Sequence, residues 1–176
     1  MPLSMTTFGS SRIRNGRKSC KRGLQRFQRT TVFTPMLVGK VVIKTAGGCL
    51  CGSIRYSFDR DSVISAGHCH CVDCQRATGS GKATIVFVPT ANLEVLGEYR
   101  TYSVVGSDGS HVSRGFCPTC GSPFISYVAE QPDVKFIKAG SLDDPSWVRT
   151  EASYWQVSAH AWDPVNPDIP SFEKNP

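Results

Sequence analysis

Apolar positions in this chain fall in short runs, and none keeps the 3.6-residue spacing of a long amphipathic helix. Residues 53–58 (Ser-Ile-Arg-Tyr-Ser-Phe) alternate polar and apolar, the period of a half-buried strand. Residues 41–43 (Val-Val-Ile) and 83–88 (Ala-Thr-Ile-Val-Phe-Val) are β-prone runs, the second stopped by Pro89. Further strands are predicted over 63–66, 93–96, 99–105, 111–116, 124–128 and 134–139. Gly47-Gly48 and Gly106-Ser107-Asp108-Gly109 read as turns, because Gly and Asp tolerate positive φ. One short helix is expected over 73–78, closed by Gly79-Ser80-Gly81. The pattern therefore predicts a mainly β body with little helix. From residue 143 onward the chain carries Trp147, Tyr154, Trp155 and Trp162 among several prolines. Core and edge packing is the expected role of these rings, and lining a substrate pocket is the alternative.

The length, 176 residues, suits one domain with an appendage, and the boundary is expected at 40/41. No apolar run approaches the length of a membrane-spanning helix, so no membrane partner is expected. The net charge of +6 is unevenly spread. Residues 1–44 hold ten of the 20 Lys and Arg and none of the 14 Asp and Glu, so the rest carries ten basic against 14 acidic residues, a net −4. The basic character belongs to the head, and the charge gives no sign of nucleic-acid binding by the body. Residues 1–40 are rich in Ser, Thr and Arg, lack periodic apolar residues and read as a disordered extension. Three roles compete for it: a dispensable extension with Met36 as the initiator, an organellar transit peptide, or a basic arm touching nucleic acid.

Cysteine changes the picture most. Of 8 cysteines, seven lie in three close groups: Cys49 and Cys51; Cys69, Cys71 and Cys74; Cys117 and Cys120. Cys20 stands apart and reads as a free thiol. Spacings of one and two residues are too tight to bridge within a pair without strain, and no apolar secretory leader precedes them. Reduced zinc ligands in a cytoplasmic protein are expected, or in a mitochondrial one if residues 1–40 are a transit peptide. The Cys117-Pro-Thr-Cys120-Gly knuckle needs a second pair of thiolates, which Cys49 and Cys51 can supply in a closed, structural four-sulfur site. On an extended strand those two thiols, two residues apart, would share a face. Cys69, Cys71 and Cys74 then remain as three ligands in search of a fourth. An open fourth position is the general form of a catalytic zinc; closure by a histidine, with His68 favoured over His70, would give a second structural site. An iron–sulfur cluster is the inorganic rival, though it usually takes four cysteines. Three thiolates leave the zinc near −1, a poor acid toward water but suited to a further thiol held as thiolate. Asp73, Asp108, Asp143 and Asp144 read as turn or surface residues, and no further catalytic side chain is nominated.

The segments 47–56 (Gly-Gly-Cys-Leu-Cys-Gly-Ser-Ile-Arg-Tyr), 69–76 (Cys-His-Cys-Val-Asp-Cys-Gln-Arg) and 116–121 (Phe-Cys-Pro-Thr-Cys-Gly) resemble the glutathione-dependent formaldehyde-activating enzyme family, whose domain centromere protein V shares. The resemblance continues through 139–144 and 170–174 and covers roughly residues 42–176. It implies a β-tent fold of short antiparallel strands with two zinc ions. By the family pattern Cys49, Cys51, Cys117 and Cys120 hold the structural ion and Cys69, Cys71 and Cys74 the catalytic one. It implies a carbon–sulfur lyase of the S-(hydroxymethyl)glutathione synthase type, adding a small thiol such as glutathione to an aldehyde such as formaldehyde, or the reverse. The chain has Gln75-Arg76 where the family often has Arg-Lys, which leaves Arg76 and Lys82 as cationic candidates for an anionic thiol. The alternative reading is a non-catalytic, zinc-stabilised binding module whose basic arm contacts nucleic acid or chromatin.

Overall fold

The computed structural model describes residues 43–106 and 108–176. The head, Cys20, Met36 and most of the strand expected over 41–43 lie outside these residues. The described chain is mainly β, in two sheets. Strands β1 (Lys44–Gly48), β2 (Arg55–Asp59) and β5 (Leu93–Leu96) form a small antiparallel sheet in the order β1-β2-β5. The larger sheet contains β3 (Ser65–Cys69), β4 (Ala83–Pro89), β6 (Arg100–Val105), β7 (His111–Phe116), β8 (Pro123–Val128), β9 (Val134–Lys138) and β10 (Ala152–Tyr154). Its order is β10-β3-β4-β9-β8-β7-β6, and all pairings are antiparallel except β10 with β3. The single α-helix among the described residues, α1 (Val72–Thr78), follows β3 and ends at Gly79. No described helix is long and apolar enough to cross a membrane.

The two-residue period of each strand sorts its side chains between two environments. Tyr56 and Phe58 of β2, Val86 and Val88 of β4, and Ile137 of β9 point into one core, which lies between the sheets and includes Ile54 and Phe124. The alternate positions, Ala83 and Ile85 with Phe87 and Phe136, cluster instead with Cys69, Cys71 and Cys74 on the opposite face of the large sheet. Burying the first set drives the sheets together. The second set leaves that far face apolar around the cysteines.

Two sequence expectations are corrected. Gly47 and Gly48 do not make a turn; they pair with Tyr56 and Arg55 inside β1. A Cβ on Gly47 would stand 2.3 Å from Tyr56 Oη and 2.4 Å from Ser141 O, so the strand needs glycine there for close approach. The chain reverses one step later: Gly52 N donates to Cys49 O and Cys49 N to Ile54 O. Strand β10 was not anticipated. It runs parallel to β3, with the tail beside it: Ser153 N donates to Pro170 O, and Phe172 N to Ser153 O.

Candidate metal centres

Four cysteines meet where the small sheet touches the large one. Cys49 and Cys51 lie on the turn between β1 and β2, while Cys117 and Cys120 follow β7. Their sulfurs all lie within 4.8 Å of one another, with Cys49 and Cys51 at 3.5 Å and Cys51 and Cys117 at 3.7 Å. Sulfurs bound tetrahedrally to zinc at the usual Zn–S length stand roughly 3.8 Å apart, so the spacing fits such an ion. The first pair converges through its turn rather than by alternation along a strand, as the sequence had suggested. The knuckle closes with Gly121 N donating to Cys117 O, and Gly121 has φ 75, a conformation that favours glycine.

Polar groups turned toward the sulfurs favour the thiolates of Cys49 and Cys120, whereas Cys51, despite its contact with Ser53, is pushed up by its contact with Cys49. Burial opposes ionisation of Cys49, but the Ile54 amide, donating at 3.2 Å, and Ser53 outweigh it and bring the thiol down to about 7. Ser122 lowers Cys120 to about 5. Ser53 Oγ also lies 3.1 Å from Cys51 Sγ and 3.2 Å from Cys117 Sγ. Neither serine was singled out in the sequence, although each lies two residues from a cysteine.

The second centre is a corner. Cys69 ends β3, Cys71 caps α1 by accepting from Cys74 N at 3.3 Å, and Cys74 sits in the first turn. Their sulfurs lie within 4.8 Å of one another. Contacts with Cys69 and Cys71 pull Cys74 down to about 2 against the opposing effect of burial, aided by the positive charges of Lys138 and Arg114. Contacts with Cys71 and Cys74 push Cys69 up. Three sulfurs this close can share one negative charge, but ionising all three needs a cation among them, so the donor set suits a soft metal ion. All seven described cysteines are free of disulfides.

Neither histidine joins this group. His68, beside Cys69 on β3, points to the other face, where Nδ1 lies 3.1 Å from Thr84 Oγ1. His70 is fully buried, and burial lowers its pKa against the opposing contact with the Gly81 backbone. Gln75 ties the corner to the chain beyond β10: its Nε2 donates to His70 O at 2.7 Å and Ser158 O at 2.8 Å.

A cavity of about 470 Å³ opens from the three cysteines across the sheet face. Ile85, Phe87, Val112, Val128 and Phe136 form its walls. Tyr154 and Trp155 also line it, while Trp147 packs against the core and Trp162 is exposed. Asn175 links two parts of its lining, accepting from Trp155 Nε1 at 2.9 Å and donating to Asp108 Oδ2 at 2.8 Å. The cation in the lining is Arg114, paired with Asp73 at 3.4 Å. Arg76 and Lys82 do not line this cavity, and Lys82 pairs with Asp163. Lys138 is buried behind the lining, with Nζ donating to Ser126 Oγ at 3.2 Å; burial lowers its pKa and the Cys74 charge opposes that. Of the other acids the sequence weighed, Asp143 pairs with Arg55 and Asp144 accepts from Ser146 N.

A family model described as glutathione-dependent formaldehyde-activating enzyme matches residues 44–158. No curated protein matches the chain. Among solved structures, a Rhodobacter sphaeroides protein from a structural-genomics programme is similar at 19% identity and TM-score 0.46, the match covering 72% of this chain and 99% of that one.

Proposed function

This chain belongs to the glutathione-dependent formaldehyde-activating enzyme family, and from that premise we propose that it is a zinc-dependent carbon–sulfur lyase. It joins a small thiol to an aldehyde, or separates them, the pair in the family's description being glutathione and formaldehyde. Cys49, Cys51, Cys117 and Cys120 hold a structural zinc, and Cys69, Cys71 and Cys74 hold the catalytic one, two ions per chain. The observation that carries the reading is the contrast between the groups: four sulfurs close on themselves at the sheet junction, whereas three face a cavity, and among the described residues no His, Asp or Glu ligand atom joins the three. When bound in the three-cysteine site, zinc supplies a soft open coordination position and lowers the pKa of a thiol placed there.

The chain's own residues do the rest. Lys138 and Arg114 offset the negative charge of the sulfurs from the sheet side. The apolar part of the wall gives the carbon substituent of the hemithioacetal a surface to bury. As proposed, it is a cytoplasmic enzyme handling small-molecule thiols and aldehydes. Replacing Cys71 with Ser tests this. Zinc content should fall from two to one per chain, lyase turnover should be lost, and the circular dichroism spectrum should be retained. Full turnover by the variant would sink the mechanism.

A further inference from the structure

We propose that the preferred substrate is the hemithioacetal of an apolar, aromatic or branched aldehyde with a small thiol bearing no carboxylate, rather than the adduct of glutathione with formaldehyde. The inference rests on the lyase reading and deepens it. Glutathione brings two carboxylates and one ammonium, and each buried carboxylate needs a cationic or hydrogen-bonding partner. Among the described residues the cavity offers one cation, Arg114, which already faces Asp73. The second acid, Asp108, adds negative charge to the same lining. Lys138 lies behind the wall, where it offsets the charge of the cysteine sulfurs, and Lys82 pairs with Asp163 outside the lining. Two carboxylates therefore meet two acids and one cation that is already paired.

Beside the polar Ser110, Ser126, Gln131 and Asn175, the aliphatic and aromatic part of the lining calls for the opposite chemistry. Ile85, Phe87 and Phe136 lie beside the cysteines, and Val112 and Val128 continue the wall. A volume of about 470 Å³ suits a drug-sized apolar ligand; a one-carbon aldehyde would leave the apolar walls without a partner. An aryl or branched alkyl group fills that space while its sulfur and hydroxyl remain at the cysteine end. The reaction keeps its balance: the thiol sulfur bonds to the carbonyl carbon, the carbonyl π pair moves to oxygen, and the thiol proton ends there. Nothing is oxidised or reduced. The reverse breaks the same carbon–sulfur bond.

The test uses the zinc-loaded full chain. Calorimetry compares two inert thioethers, benzyl 2-hydroxyethyl sulfide and S-methylglutathione. Burial of one phenyl group should favour the first by about 10–100-fold. Val128→Lys should reduce that ratio by adding a cation to the wall. Lyase assays then compare benzaldehyde plus 2-mercaptoethanol with formaldehyde plus glutathione, each above its spontaneous rate, and kcat/KM should follow the same order. Equal or tighter binding of S-methylglutathione to the wild type overturns the proposal, and turnover of the glutathione pair alongside that result leaves the lyase reading standing. Preference for the benzyl thioether with no turnover of either pair sinks the lyase reading and sustains the apolar-ligand assignment.

Discussion

Tyr56 offers a prediction whose size and sign follow from its surroundings. Its ring is 2% exposed, stacked on Phe124 with centroids 5.8 Å apart, and its hydroxyl lies 2.7 Å from Ser141 Oγ. Ser141 Oγ donates to Lys138 O, so the phenol is the donor to Ser141. Burial, the largest cause, pushes the Tyr56 pKa from 10.0 up to about 12. The neutral form is therefore the one the fold favours. Its contribution is complete below pH 10, the unfolded value, and is lost as the pH rises to 12. Two units correspond to about 2.7 kcal/mol. Tyr56→Phe keeps the ring and removes both the hydroxyl and the titration. At pH 8 the variant should be about 1 kcal/mol less stable, through the lost hydrogen bond. Near pH 12 the order should reverse, with the variant more stable by roughly 1.5 kcal/mol. Urea unfolding followed by tryptophan fluorescence, at fixed zinc, across pH 8 to 12 measures both. Tyr99, also raised by burial, titrates in both proteins and cancels in the difference. A wild-type-minus-variant difference that stays constant from pH 9 to 12 would refute the reasoning.

Other perturbations separate the two centres. Cys117→Ser removes a fully buried sulfur at the sheet junction, so zinc content should fall by one ion and the melting temperature should drop further than in Cys71→Ser. Lys138→Met removes the cation behind the three-cysteine corner while keeping its bulk; chelator competition should show zinc held there about 10–100-fold more weakly, with the four-cysteine ion unaffected. Gly47→Ala forces a Cβ against Tyr56 Oη and Ser141 O and should cost about 1–3 kcal/mol in urea unfolding.

The sequence was most informative where causes are local. The strands predicted over 93–96 and 111–116 match β5 and β7 residue for residue, because period-2 alternation and neighbouring turn residues specify them. The cysteine groups were legible for the same reason, since ligand spacing is short-range. Gly47-Gly48 misled because its strand conformation depends on the Tyr56 ring lying against it, a contact made through strand pairing. Strand β10 is three residues long and takes its register from β3, far away in sequence, so no local pattern marks it. His68 misled because adjacency to Cys69 suggested a shared target, whereas neighbours on a strand face opposite ways. Arg114, Ser126 and Lys138 had no sequence signal at all. They reach the cysteine corner from β7, β8 and β9, and strand order alone brings them together.

That division bears on what each centre can be. Cys69, Cys71 and Cys74 span six residues, so a strand end and one helical turn bring their sulfurs together with little help from the rest of the fold. Such a corner is cheap to form and, by itself, indifferent to substrate. The cavity above it is lined by Ile85 on β4, Val112 and Arg114 on β7, Val128 on β8 and Phe136 on β9, which meet only when the large sheet is assembled. The four-cysteine group works the other way. It joins the β1–β2 turn to the segment after β7, so an ion bound there favours the assembled sheets over the unfolded chain. Loss of the junction ion should therefore blunt substrate discrimination even while the three-cysteine corner retains its own metal, because the walls of the cavity are strands of the sheet that the junction anchors.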